Sequence, residues 1–420
     1  MQATGKPLNR DSIRIMAPAG SFESLHAALQ GGAGAVYFGV DRLNMRSRST
    51  GNFSLDDLGA ISEICLKHGV KSCLTVNSLL YDEDMPLMRE IVAEAKKQGI
   101  PALIVSDISV VEYSRKLGME IHLSTQLNIG NIDAVRFYSR YADVMVLARE
   151  LNLDQLRHIS EAIDKENLTG PSGRKVQLEV FVHGALCMAI SGKCYLSLHE
   201  TGNSANRGAC LQICRRSYTV REKEGGRELD IDNEFIMSPK DLCTIHFLNK
   251  ILDAGAAVLK IEGRARSPEY VKTVTECYSE ALDAIFDGNY TDKRIGQWKE
   301  KLETVFNRGF WDGYYLGQRL GEWSNVYGSR ATRKKIYTGK ATNYYSRIGV
   351  AEFLIENGSL REGDEVLIIG PSTGVIRMRP GEIRNDAGRT KEVVRGENCA
   401  FRVDSEVRRS DKLYRLEVRK

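Results

Sequence analysis

The sequence predicts an α/β protein: a (β/α)8 TIM-like barrel over residues 1–286, then a small C-terminal antiparallel β-barrel domain over residues 331–420. Three observations predict it. Eight short apolar runs alternate with amphipathic helical patterns from Ile13 to about Ile285, and strands apolar on both faces suit a parallel sheet covered by helices. Eight such units in about 270 residues match the size of a closed barrel, with a doubly wound open sheet as the competitor. From Thr332 the pattern changes to short runs broken by Gly, Asn and Pro, as in small antiparallel barrels.

The elements follow in order. Strand one is RIMAPAG (Arg14–Gly20), and its helix starts at Ser21, an N-cap with Glu23 and Ser24 in the first turn. Strand two is AVYFGV (Ala35–Val40), and a helix runs from about Leu55 to His68. Strand three is KSCLTVN (Lys71–Asn77), and the helix after it ends at Gly99. Strands four to six are ALIVSD (Ala102–Asp107), EIHLSTQ (Glu120–Gln126) and DVMVLARE (Asp143–Glu150). Strand seven is VQLEVFVHG (Val176–Gly184), and strand eight is AVLKIEGR (Ala257–Arg264), followed by a helix from Pro268 to about Phe286. The connection between the last two strands, Ala185 to about Ala256, spans about 70 residues, where a few residues and one helix are usual. It is predicted to hold a hairpin turning at Gly225-Gly226 and a helix starting near Pro239 with Ser238 as N-cap. Residues 287–330 form a bridging segment whose tryptophans, Trp298, Trp311 and Trp323, are expected to fill an interface before they stack on bases. In the C-terminal segment a tight turn is expected at Ser372-Thr373-Gly374.

Composition narrows the class. Hydrophobic content of 42% and charged content of 27% are those of a globular protein. No apolar run approaches the roughly 20 residues of a membrane span, so no membrane association is expected. The N-terminus, MQATGKPLNRDSIRIM, lacks the apolar stretch of a secretory signal, and the expected location is the cytoplasm. The net charge of +4 is unevenly placed: residues 331–420 carry 19 Lys and Arg against 13 Asp and Glu, the rest of the chain 40 against 42. A basic C-terminal segment suits a polyanionic partner or is merely a solvated surface.

Chemistry concentrates in Glu179–Arg216, EVFVHGALCMAISGKCYLSLHETGNSANRGACLQICRR, which holds Cys187, Cys194, Cys210 and Cys214 of the nine cysteines, with Cys243 following in SPKDLC. Thiols gathered among Gly, Lys, Asn and Arg are not core packing, whereas Cys65 and Cys73 fit a core. Disulfides need an oxidising compartment. Metal or iron–sulfur ligation is preferred; the spacing, CxxxC at Cys210–Cys214 with no CxxC zinc knuckle, favours iron–sulfur modestly over zinc.

A barrel enzyme works at the C-terminal ends of its strands. Those ends carry Asp41, Asn77, Asp107, Ser124, Gln126, Glu150, His183 and Glu262, together with Arg42, Arg46, Arg149, Arg264 and Arg266. His183 and Glu262 are the catalytic candidates, His183 as a proton carrier or simply as a hydrogen-bonded histidine under the loop. The arginines are the substrate-binding candidates, because guanidinium groups hold carboxylates and phosphates bidentately. The cysteine loop is expected over this mouth.

The stretches EVFVHGALCMAISGKCYLS, NRGAC, SPKDL, KIEGRARSPEYV, APAGSFESLHAALQGGAGAVYFG and STQLNIGN closely resemble the collagenase-like peptidase family U32. Length and domain layout look most like its tRNA hydroxylation subgroup; other relatives act on ribosomal RNA or the ubiquinone ring. The resemblance implies oxygen insertion, namely hydroxylation of a tRNA wobble uridine at C5. It implies a 4Fe–4S cluster (zinc as the alternative) on Cys187, Cys194, Cys210 and Cys243, with Cys214 as alternative ligand. It further implies prephenate as cosubstrate, hence a small anionic metabolite beside tRNA, and it allows a paralogous protein partner. The C-terminal segment is similar to small β-barrels of translation factors, which fits tRNA. Two alternatives stand: a metal-dependent collagenase-like peptidase, and a non-catalytic RNA-binding protein with structural zinc. The sequence contains no HExxH and no evident Cys–His pair, and its GxSxG match, Gly370–Gly374, falls on the expected tight turn of the C-terminal segment rather than on a strand-to-helix elbow.

Overall fold

The computed structural model describes residues 9–48, 52–219, 235–318 and 321–419. Apolar runs form strands and stop where polar residues begin. The strands of the first part are β1 (Arg14–Pro18), β2 (Ala35–Phe38), β3 (Lys71–Val76), β4 (Ala102–Val105), β5 (Glu120–Leu123), β6 (Val144–Val146), β7 (Gln177–Ala185), β8 (Asp241–Cys243), β9 (Val258–Ile261) and β10 (Phe310–Trp311). The helices are α1 (Phe22–Gln30), α2 (Leu58–Lys67), α3 (Met85–Lys97), α4 (Ile108–Lys116), α5 (Ile132–Tyr138), α6 (Leu153–Glu166), α7 (Leu196–Thr201), α8 (Leu248–Asp253), α9 (Pro268–Phe286) and α10 (Asp292–Glu303). Helix starts follow their caps: Ser21 Oγ accepts from Ser24 N at 3.3 Å, and Asn152 and Gln155 form a capping box on α6.

Strands β1 to β7 pair in order and in parallel, and β9 pairs in parallel with both β7 and β1. This closes an eight-stranded TIM-like barrel. The helices cover its outside, and a smaller cluster of Met16, Ala35, Tyr37, Cys73, Ala102, Ile104, Val144 and Val258 fills part of its inside. Every predicted strand is present, most of them shortened at the C-terminal end. Asn77, Ser124, Gln126, Arg149, Glu262 and Arg264 thereby lie in loops at one mouth rather than in the ladder.

Two features depart from the sequence reading. The ladder between β7 and β9 is irregular between Phe181 and His183. Such a bulge resets the inward–outward alternation, so His183 leaves the interior face held by Glu179 and Phe181. Second, the helix predicted near Pro239 is absent. Asp241–Cys243 is strand β8, antiparallel to the end of β7 and parallel to β10. The physical reason is the length of β7: at nine residues it outruns β6 and offers a free edge beyond the barrel rim. The expected hairpin at Gly225-Gly226 lies outside the described residues.

The C-terminal part is antiparallel throughout. Its strands are β11 (Arg333–Tyr345), β12 (Val350–Ile355), β13 (Ser359–Arg361), β14 (Val366–Gly370), β15 (Gly374–Met378), β16 (Ile383–Asn385), β17 (Gly388–Thr390), β18 (Glu392–Val394), β19 (Asn398–Arg402) and β20 (Lys412–Val418). Eight of them pair in the order β15-β14-β20-β11-β12-β19-β16-β17, and β13 pairs with β18. Phe353 and Phe401 stack in their core at 4.9 Å. The turn between β14 and β15 docks on the barrel helices: Gln30 Nε2 donates to Thr373 O at 2.8 Å, and Lys272 Nζ to Val375 O at 2.9 Å. Trp298 and Trp311 are buried in the hydrophobic core of the barrel, while Trp323 is partly exposed. Among the described residues no helix is long and apolar enough to cross a membrane.

Candidate active site at the barrel mouth

The loop after β7 folds back over the C-terminal mouth because neighbouring loops supply its hydrogen bonds. Leu79 N donates to Asn206 O at 2.9 Å, Arg48 N to Gly208 O at 3.2 Å, and Asn128 Nδ2 to Ser191 O at 3.1 Å. Arg207 pairs with Asp84 at 2.7 Å and lies 4.0 Å from the centroid of the Tyr81 ring. Arg215 donates to the carbonyls of Leu186 and Pro239. At Gly208, φ is +86° and a Cβ would fall 2.0 Å from Ser47 Oγ and 2.4 Å from Asn44 O. Gly208→Ala therefore combines about 1 kcal/mol of conformational strain with a backbone clash. The expected outcome is a lifted loop, seen as faster proteolysis within residues 186–216 at an unchanged cleavage rate elsewhere.

Loop and mouth enclose a cavity of about 180 Å³. Cys187, Cys194, Cys210 and Cys214 all line it. Cys187 is exposed and the other three are half-buried. Burial pushes the Cys194 and Cys214 thiols up, Cys214 to about 11, with the neighbouring cysteines adding and Arg215 opposing in the case of Cys214. Cys243 does not join them. It lies fully buried in β8 beside Tyr278, its thiol pushed to about 11 by burial. The set that the structure brings to one cavity thus has Cys214 where the resemblance implied Cys243. Among the described residues no three His, Cys, Asp or Glu side chains are grouped for a single metal ion. The donor chemistry fits an iron–sulfur group: four thiols from one loop, with no imidazole among the lining residues.

The cavity lining is also cationic. Arg46, Arg149, Arg264 and Arg266 line the cavity, joined by Arg215, Arg308 and Lys260. Arg42 does not: it is exposed, because Asn44, donating to Val40 O at 2.7 Å, turns the β2 loop so that Arg46 faces in and Arg42 out. Arg264 is buried and donates to Thr75 Oγ1 at 2.9 Å and Asn44 Oδ1 at 3.1 Å. It passes Gly39, where a Cβ would sit 2.6 Å from its Nη1; burial lowers it to about 10. Arg266 lies 3.6 Å from the centroid of the Phe306 ring, and Arg149 3.9 Å from that of Phe181. Arg308 pairs with Asp241 at 3.3 Å.

The catalytic candidates take different places. Glu262 lines the cavity and pairs with Arg46 at 2.9 Å. Burial would raise its pKa, but Arg46, Arg149 and Arg264 hold it at about 2, so it works ionised, as an anchor for guanidinium groups. His183 is outside the cavity. The bulge in β7 turns it into a cage of Tyr270, Tyr278 and Phe310, with ring centroids 6.0, 5.6 and 5.5 Å away. Burial lowers its pKa to about 3, against about 6.5 unfolded. Between those values the unfolded chain binds the extra proton, so His183 erodes stability as pH falls from 6.5 towards 3. His183→Asn is expected to flatten that acid limb in denaturant midpoints measured from pH 7 to pH 4; an unchanged slope would refute the burial argument.

Sequence reasoning passed over Arg215, Arg308 and Lys260. Arg215 adjoins Cys214, and alternation places Lys260 on the inward face with Glu262, so both carried a signal. Arg308 carried none, since it arrives from a segment beyond α10.

Comparison with known proteins gives the family. The model of peptidase family U32 matches residues 20–325. A Porphyromonas gingivalis protein named collagenase is 59% identical over 412 residues, which cover 98% of this chain and 100% of that one. The Bacillus subtilis tRNA hydroxylation protein P1 is 31% identical over 375 residues, 87% of this chain and 86% of its own. An Escherichia coli 23S rRNA 5-hydroxycytidine synthase is 35% identical over 276 residues, 66% of this chain and 40% of its own. On the match across its barrel, cysteine loop and β10, this chain belongs to peptidase family U32.

Proposed function

We propose that this protein hydroxylates RNA: it receives a tRNA wobble uridine at the barrel mouth and installs a hydroxyl group at C5, giving 5-hydroxyuridine. The observation that carries the reading is the four-thiol loop facing an arginine-lined cavity, in a chain with relatives named for tRNA and rRNA hydroxylation. Cys187, Cys194, Cys210 and Cys214 would hold a 4Fe–4S cluster, which when bound supplies electron transfer. The guanidinium groups of Arg149 and Arg266 offer donors to a small dicarboxylate cosubstrate, for which prephenate is the proposed identity. Glu262 fixes Arg46, and the loop covers the mouth. The basic C-terminal sheet would carry the tRNA backbone.

The test is nucleoside mass spectrometry of tRNA from a deletion strain. Loss of 5-hydroxyuridine, restored by the wild-type chain, supports the reading, and an unchanged nucleoside profile sinks it. A second reading, peptide hydrolysis, is favoured by the name of the 59% identical relative. Gelatin cleavage by the pure protein, abolished in Cys187→Ser, would establish it.

A further inference from the structure

A charged chain crosses the barrel interior beneath the cavity, and neither the thiols nor the arginines account for it. Lys260 on β9 lines the cavity floor, its Nζ 4.6 Å from the centroid of the Tyr37 ring. Its ammonium group donates to Glu179 Oε1 on β7 at 2.6 Å. Glu179 Oε2 faces His122 Nδ1 on β5 at 3.6 Å. His122 Nε2 meets Glu120 Oε1 at 2.9 Å, and Glu120 pairs with Lys71 at 2.6 Å. Arg174, two-thirds exposed, reaches Glu120 Oε2 at 3.5 Å, so the chain ends at solvent on the opposite face of the barrel.

A packed barrel interior is ordinarily filled with branched apolar side chains, and exchanging a buried ion pair for such residues is often neutral or stabilising. Here Lys260, Glu179 and His122 are respectively 5%, 0% and 1% exposed. Glu179 Oε2 and His122 Nδ1, 3.6 Å apart, form an ion pair slightly longer than a hydrogen bond. A buried network with a loose link is a cost to the fold, and the loose link lies between the two groups at its centre. We infer that Lys260 is a proton donor to the ligand in the cavity and that Glu179, His122 and Glu120 re-protonate it from the far side of the barrel. The inference rests on the hydroxylation reading above.

The step moves protons only. A Lys260 Nζ–H bond breaks, and a bond forms to the ligand oxygen or nitrogen that has become negatively charged. Glu179, a carboxylate at rest, takes a proton on Oε2 from His122 Nδ1 and, after the carboxyl group turns, gives it to the Nζ lone pair. Glu120, also a carboxylate at rest, picks up a proton from solvent and returns it to His122 Nε2. No group is oxidised or reduced. The 3.6 Å gap is the one that must close for transfer, and hydrogen bonds of this kind tighten when ligand binds.

Lys260→Arg keeps the cation but gives up no proton near neutral pH, and Lys260→Met removes both. In the deletion strain, each is expected to restore at least tenfold less 5-hydroxyuridine than the wild type. The double variant Lys260→Met/Glu179→Leu is expected to keep or raise the thermal unfolding midpoint while remaining inactive. His122→Gln, which does not line the cavity, is expected to lower product about tenfold without weakening dicarboxylate binding in calorimetry. Wild-type product levels with Lys260→Arg would overturn the relay alone. So would a fall of product in the double variant that tracks a fall of its unfolding midpoint, because that is the mark of a structural network. Failure of the wild-type chain to restore the nucleoside overturns the hydroxylation reading, and the relay with it.

Discussion

Protein purified without oxygen is expected to hold about four irons and four sulfides per chain, and Cys214→Ser is expected to lose more than half of that iron while Cys243→Ser keeps it. The argument is positional. Cys214 shares the cavity with Cys187, Cys194 and Cys210. Cys243 is fixed in β8 between β7 and β10. Bringing its thiol to the cavity would require breaking ladder bonds on both sides of a buried strand, whereas Cys214 already faces the cavity from a loop. Iron and sulfide analysis with a visible absorption spectrum decides it. Iron retained in Cys214→Ser and lost in Cys243→Ser would reverse the ligand set and show that β8 moves when the cluster loads. About one zinc and no iron would make the loop structural and leave RNA binding without redox chemistry as the better account.

The barrel was legible because its information is local. Eight apolar runs, their caps and α9 can be read from windows of a few residues, and the polar residues at the strand ends point to the working face. The cysteine loop was legible for the same reason. What was not legible depends on pairings distant in sequence. Strand β8 is three residues long and exists because β7 outruns its neighbours, which no window around SPKDLC reveals. His183 sits in an alternating run that places it inward, and a single bulge sends it to the helix side. Arg42 and Arg46 look equivalent until the Asn44 side chain folds their loop. Arg308 reaches the cavity from a segment that reads only as a bridge. Lys260 is the instructive case: alternation put it inside the barrel, but a lone lysine in an apolar run draws less notice than a row of arginines.

The arginines can be ranked by what already holds them, and Arg149 is expected to matter most for anion binding. Arg46 and Arg308 are paired with Glu262 and Asp241, and Arg264 is occupied by Asn44 and Thr75. Arg149 makes one hydrogen bond, Nη1 to Ala185 O at 3.2 Å, and rests on the Phe181 ring. Its Nε is buried with no partner in the protein. Its guanidinium therefore comes to a ligand with donors to spare and no carboxylate to leave. Losing a buried, charge-assisted contact of this type costs about 2–4 kcal/mol, or about 30- to 1,000-fold in affinity. Arg149→Met should weaken dicarboxylate binding by that factor in calorimetry, with little change in unfolding midpoint, because no protein salt bridge is broken. Arg149→Lys should not rescue it, since an ammonium lacks the planar fork. Glu262 would lose one of the three cations that hold its pKa down, so its pKa should move up. Arg42→Ala, on the exposed side of the loop after β2, should bind as the wild type does. The reverse pattern, with Arg42→Ala weakened and Arg149→Met unchanged, would place the anion outside the cavity and remove the reason for its cationic lining.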